Sequence, residues 1–259
     1  VVLGGVKAAW RFLVPAWRRA GVALLAAGLF LGLGLGHAGG VSWWLVLAVA
    51  AILQASARLW PLAIAQPEGP RDRTGRTWDL WARELRLLGV AGLTIMFLFV
   101  LLLLIFVLVL CFAYAAAASG HGFVASEIAT WAPAVDNRGR WMVSLVAIGC
   151  GLAWTWAAMR VSLAAPASVA RRRVLMLATW PLTRGRGWAI ALANLLTLAA
   201  PAALLALLVI ARRTGGAPAM ILWLTDGLVV AGLWLPLTIG LMGRIYRDLT
   251  LGQREGVPA

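Results

Sequence analysis

Residues 87–118 read LLGVAGLTIMFLFVLLLLIFVLVLCFAYAAAA, an uncharged run of thirty-two residues. A bilayer hydrocarbon core of roughly 30 Å takes about 20 apolar residues as a helix, since every backbone N–H in lipid must find its acceptor within the segment. The run is therefore a membrane span, placed at 87–116, with surplus length that tilt or a short extension beyond the lipid absorbs. The surrounding composition agrees: of 259 residues, 63% are hydrophobic and 12% charged, far from the balance of a soluble domain. Apolar stretches of span length recur at 20–36, 43–64, 141–160, 188–210 and 220–243. The expected fold is all-α, a polytopic transmembrane helical bundle of about six spans forming a single integral membrane domain.

Charge sets an expected orientation. The chain carries 23 basic residues against 9 acidic ones, and Lys7 is its only lysine. Sorted by the alternation of six spans, nineteen basic residues fall on one side and four, Arg138, Arg140, Arg212 and Arg213, on the other. The positive-inside rule then puts both termini in the cytoplasm. A net charge of +14 also suits a nucleic-acid binder, but these arginines flank spans and no soluble basic domain accompanies them, so no nucleic-acid partner is expected. The residues around Lys7 slightly resemble the basic region of a signal peptide. No small-residue cleavage site leads into a soluble domain, and an uncleaved first span is expected.

Three basic, tryptophan-bearing segments precede pairs of spans. In the first, Trp10, Val14 and Trp17 share one helical face while Lys7, Arg11, Arg18 and Arg19 lean elsewhere. In the second, Trp78, Trp81, Leu85 and Leu88 form an apolar face. The third, residues 166–186, gathers Arg171, Arg172, Arg173, Arg184 and Arg186 around Trp180, with Trp188 beyond. Such segments read as amphipathic interfacial helices. Their recurrence fits three helix-hairpin repeats; it also fits the ordinary gathering of arginine and tryptophan at inside interfaces. Clustered arginine beside tryptophan can hold anionic phospholipid headgroups, each charge near the surface contributing about 1 kcal/mol. The five arginines of the third segment are the first choice for that role, with Trp180, Trp188, Lys7, Arg11, Arg18 and Arg19 as further candidates. Plain topogenic charge is the competing account, and the two are compatible.

Polar residues inside spans are few. Asp226 is the most unusual, because a charged group there is costly unless paired or wet. It suits a proton or cation path, or more simply a pairing with Arg212 or Arg213. Gln54 and Asn194 suit interhelical hydrogen bonds of about 0.6 kcal/mol each. Pro201 and Pro236 each free a backbone carbonyl, a device that transporters use to coordinate ions. Span six is expected to be interrupted at Pro236 and the tail to fray after Tyr246. Catalysis requires a nucleophile beside a base, paired carboxylates or metal ligands, and none of these sets is legible. His37 and His121 fall in different loops, Cys111 and Cys150 lie in apolar stretches, and no cofactor is expected. A lipid enzyme would need Asp226, His121 or Glu127 to converge.

Residues 159–188, MRVSLAAPASVARRRVLMLATWPLTRGRGW, carry one family likeness. Arg160, Ser162, Leu163, Pro166 and Ala167, followed by Trp180, Leu182, Thr183, Gly185 and Trp188, resemble a motif of bacterial multi-pass proteins related to the membrane domain associated with glycerophosphodiester phosphodiesterases. Thr179 stands where serine is common, and Tyr246, Arg247, Asp248 and Leu249 look like that family's ending. The resemblance covers about thirty residues closely and the six-span layout loosely. It implies a standalone protein of the bacterial inner membrane, and no catalytic residue carries over. The functional expectation is a non-enzymatic accessory or scaffolding subunit of a larger membrane assembly, with anionic phospholipid and a membrane-protein partner or self-association. The alternative is a transporter or channel for a lipid-like or small substrate.

Overall fold

The computed structural model describes residues 2–36, 43–64, 77–118, 135–214 and 218–254. His37, His121, Glu127, Arg71, Arg73 and Arg76 lie outside the described residues. Among those described there is no strand, and six helices are long and apolar enough to cross a membrane. They are α1 (Val2–Gly36), α2 (Trp43–Ile64), α3 (Thr77–Ala118), α4 (Asn137–Val161), α6 (Gly187–Thr214) and the pair α7 (Ala219–Val229) and α8 (Leu235–Arg254), joined through a π-turn at Val230–Trp234. A short helix, α5 (Ala164–Arg171), and two 3₁₀ turns, Leu177–Thr179 and Pro181–Thr183, lie between α4 and α6.

The chain forms two compact units: residues 1–91 with 162–259, and residues 92–161. The division falls within α3, whose uniform run of large apolar side chains gives no boundary signal.

In the first unit α1 packs against α2, α6, α7 and α8. Its inner face is small: Ala9, Ala16, Ala20, Ala23 and Ala27 are all buried, and α2 buries Ala48, Ala51, Ala55 and Ala63, with Ala51 clustered against Ala27. Lipid tails are as apolar as leucine, so helices in a membrane associate by close packing, which small residues allow. The closest approach is at Gly28 and Gly32. A Cβ at Gly32 would come within 2.6 Å of the Leu224 Cα and the Trp223 carbonyl, and one at Gly227 would overlap the Gly28 carbonyl.

Two of the expected interfacial helices are instead the first turns of spans. Residues 6–19 belong to the unbroken α1 and residues 77–88 to the unbroken α3. Pro15 lies inside α1 without ending it, as prolines in membrane helices do where neighbours compensate. The third segment alone is built separately, as α5 and the two 3₁₀ turns. The tail also differs from expectation: α8 runs to Arg254. Met242, Ile245, Tyr246 and Leu249 are buried at helical spacing, and this apolar stripe holds the helix past Tyr246.

In the second unit, Asp136 caps α4, its Oδ1 accepting from Gly139 N at 2.7 Å, the usual way a short polar side chain satisfies a free N-terminal amide. Trp154 Nε1 donates to the Leu98 carbonyl at 3.1 Å, tying α4 to α3. Most remaining side chains of this unit, including Ile95, Phe99, Leu103, Phe106, Leu145 and Leu152, are exposed, as a hydrocarbon solvent permits.

Candidate lipid-headgroup site

Lys7 and Arg11 stand four residues apart on α1, so they share one helical face. Arg244 and Arg247 stand three apart on α8, on the face opposite the buried Met242, Ile245, Tyr246 and Leu249. The two basic faces meet across a cavity of about 480 Å³ that Phe12, Leu62, Ala63 and Gly240 also line. Gly240 makes the junction close, since a Cβ there would lie 2.8 Å from the Phe12 ring. Among the described residues, one carboxylate stands beside the cavity: Asp248 Oδ2 accepts from Arg244 Nε at 3.0 Å. The site thus has four cations at its rim, Arg244 among them ion-paired, above an apolar floor. That is the chemistry of a basic pocket for a phosphate-bearing headgroup whose chains continue along apolar helix surface.

Lys7 and Arg11 were legible in the sequence as headgroup candidates. Arg244 and Arg247 were not, because both lie in the polar tail beyond span six, Arg247 past the Tyr246 where fraying was expected; the stripe from Met242 to Leu249 was the signal that would have extended the helix. Arg18 and Arg19 are exposed further along α1 and do not line the cavity.

The arginines of residues 171–186 are also absent from the cavity's lining. Arg171 ends α5, and Arg172 adopts a left-handed backbone at φ 54°. The buried Ser168 staples the next turn, its Oγ accepting from Leu175 N at 2.8 Å and donating to Leu175 O at 3.0 Å. Thr179 Oγ1 donates to Met176 O and Thr183 Oγ1 to Trp180 O. The staples leave Arg171, Arg172, Arg173 and Arg184 exposed, with Arg186 and Trp180 half-buried. Trp188 is 84% exposed. Of the residues that carry the family likeness, Leu163, Pro166, Ala167 and Thr183 are buried, as is Thr179, and none of the motif lines the cavity.

The intramembrane polar residues are mostly engaged internally. Asp226 is 5% exposed, and its Oδ2 lies 2.6 Å from Arg212 Nη1. The contact is a close charge pair, not a directed hydrogen bond: Arg212 Nη1 and Asp226 Oδ1 are buried without a hydrogen-bond partner among the described residues. The Arg212 guanidinium also sits 4.0 Å from the centre of the Trp223 ring. Trp223 and Asp226, three apart on α7, clasp one arginine of α6. Pro236 leaves the Gly232 carbonyl without its helical donor, and Trp17 Nε1 supplies one at 3.0 Å. Asp226 Oδ2 and the carbonyl freed at Pro236, two of the features on which an ion path between spans five and six would draw, are thus engaged by the protein's own groups. Asn194 is buried and Nδ2 donates within its own helix to Ile190 O at 3.1 Å, whereas Gln54 is exposed on α2.

Compared with known proteins, the chain matches no family model, no curated sequence and no solved structure.

Proposed function

We propose that this chain is a non-enzymatic, multi-pass protein of the bacterial inner membrane, with both termini cytoplasmic, that acts as an accessory or scaffolding subunit and holds anionic phospholipid at its basic end. The observation that carries the reading is the convergence of Lys7, Arg11, Arg244 and Arg247 on one cavity with an apolar floor. Like charges at helical spacing repel by a few tenths of a kcal/mol per pair. Two such pairs facing each other are stabilised by an anion between them. The excess of arginine at this end supports the cytoplasmic orientation. The apolar surface of the second unit leaves room for lipid or a partner helix, which supports the scaffolding role.

Gentle extraction from native membranes, followed by mass spectrometry of everything retained, tests both parts. Retention of anionic lipid together with a defined membrane complex is the expected result. A monodisperse monomer that keeps neither lipid nor partner would sink the proposal.

A further inference from the structure

We propose that a phosphate held in the cavity between α1 and α8 is anchored on α1, by Lys7 and Arg11, and that Asp248 is a built-in counter-anion on α8 that withholds Arg244 from it. The proposal rests on the headgroup reading above and adds the anchor of that site and the residue that regulates it. The two sides of the cavity differ in how their cations are engaged. On α1, Lys7 and Arg11 line the space from an exposed helical face, and among the described residues neither makes a hydrogen bond or an ion pair. On α8, Arg244 already donates Nε to Asp248 Oδ2 at 3.0 Å. The two stand one helical turn apart, on a helix that continues to Arg254. Ile245 and Leu249 are buried within that same turn, so packed backbone, and not the chance reach of a loop, sets the carboxylate beside the guanidinium.

Carboxylate and phosphate oxygens compete for the same guanidinium donors. An entering phosphate must share Arg244 with Asp248 or displace it, whereas Lys7 and Arg11 bring no such competitor. The side chains of Arg244 and Asp248 are 42% and 38% exposed, so water screens their attraction. An ion pair in that setting contributes at most about fivefold to an equilibrium constant. Asp248 therefore attenuates the site without closing it. Binding proceeds on α1, and loss of the Asp248 charge returns Arg244 to the phosphate. Two sources share this chemistry, a lipid phosphodiester and free phosphate.

The test titrates the purified full chain in neutral detergent with phosphatidylglycerol, with phosphatidylethanolamine as the zwitterionic reference and inorganic phosphate as the soluble arm. Salt is kept at about 0.15 M, where a Debye length of about 8 Å damps repulsion at a distance. Lys7→Gln and Arg11→Gln should each weaken phosphatidylglycerol binding about fivefold. Asp248→Asn should strengthen it about two- to fivefold. In an Arg244→Gln background, Asp248→Asn should change affinity by less than about twofold, because no guanidinium remains to be released and distant repulsion is screened. Arg173→Gln, outside the cavity, should bind as the wild type does, and size exclusion with circular dichroism checks that each variant folds. If Asp248→Asn binds no tighter than the wild type, or gains as much without Arg244 as with it, the counter-anion is overturned and the headgroup reading stands. If Lys7→Gln and Arg11→Gln both bind as the wild type does, the anchor is overturned. If inorganic phosphate shows the variant pattern while phosphatidylglycerol binds no better than phosphatidylethanolamine, anchor and counter-anion stand and the headgroup reading fails. Binding of neither sinks both.

Discussion

Asp226 illustrates how far one residue can be read before its surroundings are known. A carboxylate inside an apolar span demands a partner, and Arg212 and Arg213 at the end of the preceding span are the nearest cations in the chain. The structure supplies Arg212 at 2.6 Å and adds Trp223 beneath its guanidinium, a contact readable as the i, i+3 spacing of Trp223 and Asp226. Removing one member of a buried ion pair leaves an uncompensated charge and costs about 3–5 kcal/mol, whereas replacing both by apolar residues is often neutral. We therefore expect Asp226→Ala to lower the unfolding temperature in detergent markedly, and the double variant Asp226→Leu with Arg212→Met to recover most of the loss. A proton or ion path would instead show impaired function in the double variant with stability restored. Trp17 was placed in the sequence among interfacial tryptophans, yet its indole caps the Gly232 carbonyl. That role depends on a partner 215 positions away, which no local pattern signals. Trp17→Phe should cost about 1–3 kcal/mol, the penalty of an unsatisfied buried polar group, measured by the same thermal unfolding. Asn194 is buried, as a polar residue in a span suggests, and its Nδ2 donates to the carbonyl four residues back, which lies within reach of its side chain.

At the scale of elements, hydropathy placed all six spans, because the length that lipid requires is a physical constant of the solvent. What it could not place were the ends of helices, where charge replaces apolar character but backbone hydrogen bonding continues. For that reason α1 and α3 begin earlier than expected, and α8 ends later. Glycine content pointed to close packing in the first span without naming the partner; the structure assigns Gly28 and Gly32 to α7. Gly32→Leu should separate α1 from α7 and abolish the folded peak in size exclusion, since its Cβ alone would meet backbone at 2.6 Å. Gly92→Ala, whose added Cβ meets nothing within 4 Å, should be neutral or stabilising by up to about 1 kcal/mol through helix propensity. Thermal unfolding of the two variants side by side checks the distinction. The candidate site shows the same limit, since two of its four cations lie on the stretch of α8 that sequence reading had released as tail.

For the whole molecule, the charge asymmetry and the cavity point to one end of the first unit. Nineteen of the 23 basic residues fall on that side by the alternation of six spans. A single cysteine introduced at Gly4, in a background with Cys111 and Cys150 replaced by alanine, should react with a membrane-impermeant thiol reagent in inverted vesicles and not in intact spheroplasts. Labelling in spheroplasts would reverse the orientation. The central claim, that anionic lipid occupies the space between α1 and α8, is tested most directly by photocrosslinking a diazirine-bearing anionic phospholipid to the protein in vesicles and mapping the modified peptides. The account predicts crosslinks concentrated at residues 4–12, 62–63 and 240–247; crosslinks confined to residues 171–186, or spread evenly over the apolar surface, would contradict it.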